Sequence, residues 1–186
     1  MKILGIAGSL RADSHNVRLL RAAAETLPPG VTLELWDGLR DVPLYDEDVD
    51  AAEVAPTGVA ALREAIADAD AILISTPEYN ASIPGVLKNA LDWASRPYAT
   101  NVLRSKPAAV VGATTGLFGA VWAQAETRKV LNTIGAHVLE DELPVGLADD
   151  AWDPDGRLLD PELRERLSDV VGNLVREVSA PVEAAA

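Results

Sequence analysis

The stretch that decides the fold is Thr76 to Trp93, TPEYNASIPGVLKNALDW. An apolar run, Ala71-Ile72-Leu73-Ile74, leads directly into it and reads as a buried strand. A loop dense in polar and special-backbone residues follows, and a helical apolar pattern resumes at Val86, Leu87, Leu91 and Ala94. Strand, loop and helix start are thus packed into one short segment. In an open α/β sheet, ligands sit in the crevice outside the carboxyl ends of the strands, where such a loop stands.

The rest of the chain repeats the theme. Lys2 to Ala7 reads as a first strand, Gly8 to Ser14 as a loop, and Val17, Leu20, Ala24 and Leu27 as one face of a helix starting at Asn16. Pro28-Pro29-Gly30 stops that helix, and Val31 to Trp36 alternates as a second strand. Asp37 to Pro56 is loose, and Val59, Leu62 and Ile66 mark the next helix. Beyond the central segment, Pro107 to Ala113 reads as a strand, Thr114 to Gly119 as a small-residue loop, and the following residues as a helix to about Ile134. Gly135 to Leu139 is a turn and fifth strand, and Leu163, Leu167, Val170, Leu174 and Val178 define a last helix.

Strands alternating with helices predict an α/β, flavodoxin-like three-layer sandwich. Its core is a five-stranded parallel sheet of order 2-1-3-4-5 with helices on both faces. The two richest loops follow the first and third strands, which flank the switch point in that order. Residues 1–178 are expected to form a single domain, and 179–186 a flexible C-terminal tail.

Composition narrows the function classes. The chain has 186 residues, 48% of them hydrophobic, enough for one real core. Cysteine is absent, which excludes disulfides and a thiol nucleophile. The two histidines, His15 and His137, show no ligand spacing, so no metal site is expected. His15 reads as a surface residue and His137 as structural. A net charge of −13 argues against a nucleic-acid partner and against adhesion to anionic lipid. No segment approaches the roughly 18 apolar residues that cross a bilayer, so no membrane association and a cytoplasmic location are expected.

Three loops carry the candidate chemistry. In the first, Ser9, Arg11, Ser14 and Asn16 offer hydroxyls, a guanidinium fork and an amide at a helix N-terminus, where unpaired N–H groups attract an anion. One phosphate fits better than two, because no GxGxxG turn and no Walker A lysine is present. In the second, Pro77, Glu78, Tyr79, Asn80 and Ser82 can meet the polar edge of a flat heterocycle, while Trp93 reads as packing and Lys88 and Asp92 as an i, i+4 pair. In the third, Thr114, Thr115 and Gly116 can approach the same ring, with Gly119 beside them and Phe118 facing the ring or a partner subunit.

These stretches, Gly8-Ser9-Leu10-Arg11 with Ser14 and Asn16, and Pro77 to Trp93, resemble the NADPH-dependent FMN reductases. That flavodoxin-like family includes bacterial quinone, chromate and azo-dye reductases. The resemblance implies a held FMN, with Ser9, Arg11, Ser14 and Asn16 on its phosphate and Pro77, Glu78, Tyr79, Asn80 and Ser82 flanking its ribityl and ring. It implies NADPH or NADH as donor, a small-molecule electron acceptor, and a homodimer or homotetramer. No catalytic side chain is required, because the flavin carries the hard chemistry. Ala81 and Phe118 depart from the family, which often has glycine at both places. Ala81 is expected to be mild if its φ stays negative, and Phe118 to narrow the space above the ring. The rival readings are a flavodoxin-type electron carrier and a non-catalytic flavin-binding regulatory protein.

Overall fold

A computed structural model describes residues 1–180. The strands are β1 (Lys2–Ala7), β2 (Thr32–Trp36), β3 (Ala71–Thr76), β4 (Pro107–Ala113), β5 (His137–Val138) and β6 (Pro144–Val145). The helices are α1 (His15–Glu25), α2 (Glu47–Asp50), α3 (Thr57–Ala67), α4 (Gly85–Ala94), α5 (Val121–Ile134) and α6 (Pro161–Ser179). All strand pairs are parallel, in the order β2-β1-β3-β4-β5, with β6 pairing the end of β4. The flavodoxin-like order expected from the loops is therefore the one found.

Side chains of the central strands alternate between two cores. Leu4, Ile6, Ile72, Ile74 and Val110 pack with Leu62, Ile66, Leu87, Leu91 and Leu131 on the face covered by α3, α4 and α5. Ile3, Leu73, Ala109 and Val111 pack with Leu19, Leu20, Leu167, Val170 and Leu174 beneath α1 and α6. β3 is buried along its whole length, which is why it reads as an unbroken apolar run. Trp93 is fully buried, and its indole N–H donates to Pro43 O at 2.8 Å, fixing the Asp37–Pro56 segment against α4.

Several boundaries differ from the sequence reading. α1 starts at His15, one residue early, with Ser14 as its N-cap. The segment after β2 holds a 3-10 turn, Gly38–Asp41, and the four-residue α2. The fifth strand shrinks to two residues, and β6 is an unforeseen addition. α6 continues through Ser179, the first residue of the expected tail; residues 181–186 of that expectation lie outside the described ones.

Candidate flavin site

The loops after β1, β3 and β4 meet at the carboxyl edge of the sheet. Gly8 joins the first two: its N–H donates to Ser75 O at 2.8 Å. A Cβ on Gly8 would stand 3.0 Å from Leu87 Cδ2 and 3.3 Å from Pro77 Cδ, so a larger residue would make those side chains give by a few tenths of an ångström.

The first loop is built for an anion. The Ser14 hydroxyl accepts from Val17 N, and the Ser9 hydroxyl accepts from Arg11 N. Among the described residues, the N–H groups of Ala12, Asp13, Ser14, His15 and Asn16 have no protein acceptor. Ser14, His15 and Asn16 are nevertheless buried. Buried orphan amides at a helix N-terminus call for an external acceptor, and a phosphate supplies one. Arg11 is exposed and pairs with no described carboxylate, so its guanidinium is available to the same anion.

Asn16 behaves differently from the other three. Its Nδ2 donates to Ala113 O at 2.9 Å, and its Oδ1 accepts from Ser75 Oγ at 2.8 Å and Ala113 N at 3.1 Å. The side chain latches α1 to β3 and β4; only its backbone N–H is left for an anion. His15 corrects the surface expectation. It is 8% exposed, with Nε2 at 3.0 Å from Asp149 Oδ1 and Nδ1 accepting from the Trp152 indole N–H at 3.1 Å.

The second loop is a tight hairpin in which Tyr79 and Ser82 exchange backbone hydrogen bonds. Asn80 and Ala81 fill its tip with φ of 53° and 59°. The condition for a mild effect at Ala81, a negative φ, is not met in this turn. A left-handed alanine costs about 1 kcal/mol or more relative to glycine. Ala81→Gly therefore raises stability by about 1 kcal/mol, read as a shift of the urea midpoint; an unchanged midpoint would remove the strain argument.

Two carboxylates lock this hairpin to α5. Glu78 accepts from Trp122 N at 3.0 Å and Ala123 N at 3.1 Å. It caps a helix whose own N-cap residue, Ala120, has no side-chain oxygen. Glu126 reaches the other way, accepting from Ser82 Oγ at 2.6 Å and Ile83 N at 3.3 Å. The side chains of Glu78 and Ser82 are thus engaged within the protein and set the shape of the loop. Pro77 is buried, while Tyr79 and Asn80 face solvent.

The Ser82 hydroxyl holds the Glu126 carboxyl below its ordinary value, opposed by desolvation and aided by Ile83 N–H, Lys129 and Lys88. A depressed carboxylate adds stability above its unfolded pKa and loses it as pH falls through the folded value. Glu126→Gln therefore flattens the acid side of the stability profile below the ordinary value of 4.5. A profile parallel to the parent's, by urea unfolding across that range, would refute the clamp.

In the third loop, Thr114 is tied to the β6 segment through Thr114 N to Val145 O and Ala148 N to Thr114 O. Thr115 and Gly116 are exposed, and a Cβ on Gly116 would meet nothing closer than 3.9 Å, leaving open space beside the backbone. Gly119 serves packing instead, since a Cβ there would lie 2.5 Å from Pro144 C. Phe118 is 59% exposed and packs edge-on to the half-exposed Trp122 at 5.2 Å, a contact that the sequence reading missed. Lys88 and Asp92 pair at 2.6 Å as their spacing suggests.

The residues fit FMN in both of its parts. An N–H nest with Ser9, Ser14 and Arg11 suits a single phosphate, and the exposed backbone at Thr115 and Gly116 leaves room for a flat ring. Comparison with known proteins agrees. Residues 1–150 match the family model described as NADPH-dependent FMN reductase. An NAD(P)H-dependent FMN reductase of Pseudomonas aeruginosa is 47% identical over 166 residues, 89% of this chain and 88% of that protein. A 2-hydroxy-1,4-benzoquinone reductase of a Burkholderia species is 38% identical over 168 residues, 90% of each chain. The solved structure of FerB, an NAD(P)H:(acceptor) oxidoreductase from Paracoccus denitrificans, superposes with a TM-score of 0.82 at 34% identity, covering 96% of this chain and 97% of that one. The chain belongs to the NADPH-dependent FMN reductase family of oxidoreductases.

Proposed function

We propose that the protein uses FMN to carry hydride from NADPH or NADH to a quinone, a flavin or a similar small acceptor. The observation that carries this reading is the run of orphan amides from Ala12 to Asn16 beside the β3 loop, in a chain of this family. Bound FMN supplies the two-electron chemistry, so the protein needs no acid–base side chain. Ser9, Arg11, Ser14 and the amides of the first turn of α1 hold the phosphate. The hairpin from Pro77 to Ser82 and the backbone at Thr114, Thr115 and Gly116 flank the ring, with Glu78 and Glu126 keeping the hairpin in place. Relatives named for FMN and for quinone reduction support acceptors of those classes.

Tyr79, Leu117, Phe118 and Trp122 stand exposed around this edge, a grouping of apolar side chains that suits a homodimer or homotetramer interface close to the flavin. No helix among the described residues is long and apolar enough to cross a membrane. A cytoplasmic enzyme acting on diffusible acceptors is the setting this reading expects.

The test is to load the purified protein with FMN, exclude oxygen, and add NADH or NADPH. Rapid bleaching of the visible flavin absorption, followed by reoxidation on adding a quinone, is the expected result. A flavin that neither nicotinamide bleaches would make the protein a carrier or a regulatory flavin binder. Failure to take up FMN would overturn the site itself.

A further inference from the structure

On the β2 side of the first loop, away from β3, a cleft of about 330 Å³ lies between the ends of β1 and β2 and α1. Arg11 from the loop, Arg21 from α1 and Arg40 from the 3-10 turn line it. In a chain of net charge −13 this is a local reversal of sign. Among the described residues none of the three pairs with a carboxylate. Arg40 is tethered by one bond, Nη2 to Leu10 O at 3.0 Å, which leaves most of its fork free. Trp36, the last residue of β2, borders the cleft, with its side chain packed toward the core beneath α3 and α4. Asp37 contributes the single carboxylate of the lining.

We propose that this cleft binds the 2′-phosphate end of NADPH, with Arg21 and Arg40 on the 2′-phosphate. The proposal rests on the hydride-donor reading of the adjoining site. A guanidinium fork matches phosphate oxygens in pairs and holds its charge at every relevant pH. The flavin phosphate is already provided for by the amides and hydroxyls at the start of α1, and Arg21 lies beyond that first turn. A carboxylate just past the second strand suits a ribose hydroxyl and opposes a 2′-phosphate. Asp37 alone would therefore favour NADH; the surrounding arginines outweigh it. The cleft shares Ser9, Leu10 and Arg11 of the first loop with the proposed flavin site, so the two adjoin.

Two single variants and one double variant test this in FMN-loaded protein. In steady-state assays with each nicotinamide, Arg21→Ala lowers the ratio of kcat/KM for NADPH to that for NADH about tenfold. The double variant with Arg40→Ala lowers it further, and Asp37→Asn raises it. An unmoved ratio, or equal losses with both donors, would overturn the proposal. Calorimetric titration with 2′,5′-ADP, 5′-AMP and inorganic phosphate gives a readout free of turnover. Tight binding is expected for 2′,5′-ADP alone, weakened about tenfold by Arg21→Ala. Equal affinity for 5′-AMP would discard the 2′-phosphate contact, and equal affinity for inorganic phosphate would leave an adventitious anion site only. Arg21-dependent 2′,5′-ADP binding in a protein that accepts hydride from neither donor would instead overturn the reading of the flavin site and keep the cleft.

Discussion

Asn16→Leu is expected to lower the unfolding free energy by about 3–5 kcal/mol, the largest effect of any single change at the site. Asn16 is 2% exposed and makes three hydrogen bonds, to Ala113 O, Ala113 N and Ser75 Oγ. Leucine has the same branching but is bulkier, and it leaves all three partners buried without a mate. Each such group costs about 1–3 kcal/mol, offset in part by burying an apolar side chain in place of an amide. Ser75→Ala removes a single bond and its donor together, so its cost is closer to about 1 kcal/mol. Urea unfolding should show the two midpoints displaced in that order with the slope unchanged. A midpoint for Asn16→Leu matching the parent's would show that the latch contributes nothing. The latch also ties stability to the site: it fixes the first turn of α1, and hence the orphan amides, over the ends of β3 and β4.

That role was not legible in the sequence, and the reason is physical. An asparagine two residues past a serine at a helix start offers the right groups for a phosphate, and nothing local reveals acceptors 97 residues away. Glu78 and Ser82 repeat the lesson. Their polar density marked the loop as ligand-facing, yet their side chains meet α5 partners 44 residues on. Long-range hydrogen bonds consume side chains that sequence alone counts as free.

What was legible followed from periodicity. The buried β1, β3 and β4 read as apolar runs because parallel strands are covered on both faces. β6 was invisible because a two-residue strand has no period, and it exists only where Pro144 and Val145 pair with the end of β4. The 3-10 turn and α2 are too short for an apolar repeat, and tertiary contacts such as Arg63 to Asp50 and Trp93 to Pro43 hold that segment. Ala81 shows the limit from the other side: the residue was recognised as unusual, but the sign of φ is set by the hairpin.

Arg11→Ala tests the phosphate assignment with the second-largest effect, a loss of FMN affinity of about 10- to 100-fold. Arg11 is exposed, and among the described residues its guanidinium bonds to no protein group, so removing it should leave the stability of the flavin-free protein within about 0.5 kcal/mol of the parent. The loss therefore belongs to binding and not to folding, which separates it from Asn16→Leu. Arg11→Lys keeps the charge but not the planar fork, and should fall between parent and alanine variant. Raising the salt concentration should narrow the gap between parent and alanine variant, because an exposed charge is screened. Once saturated with FMN, the alanine variant should be reduced by nicotinamide at close to the parent rate, since the phosphate lies at the far end of the flavin from the ring that accepts hydride. Titration of flavin-free protein, followed by flavin fluorescence, measures the affinity. Equal affinity in parent and alanine variant would move the phosphate off Arg11 and leave it to the helix amides and the two serines.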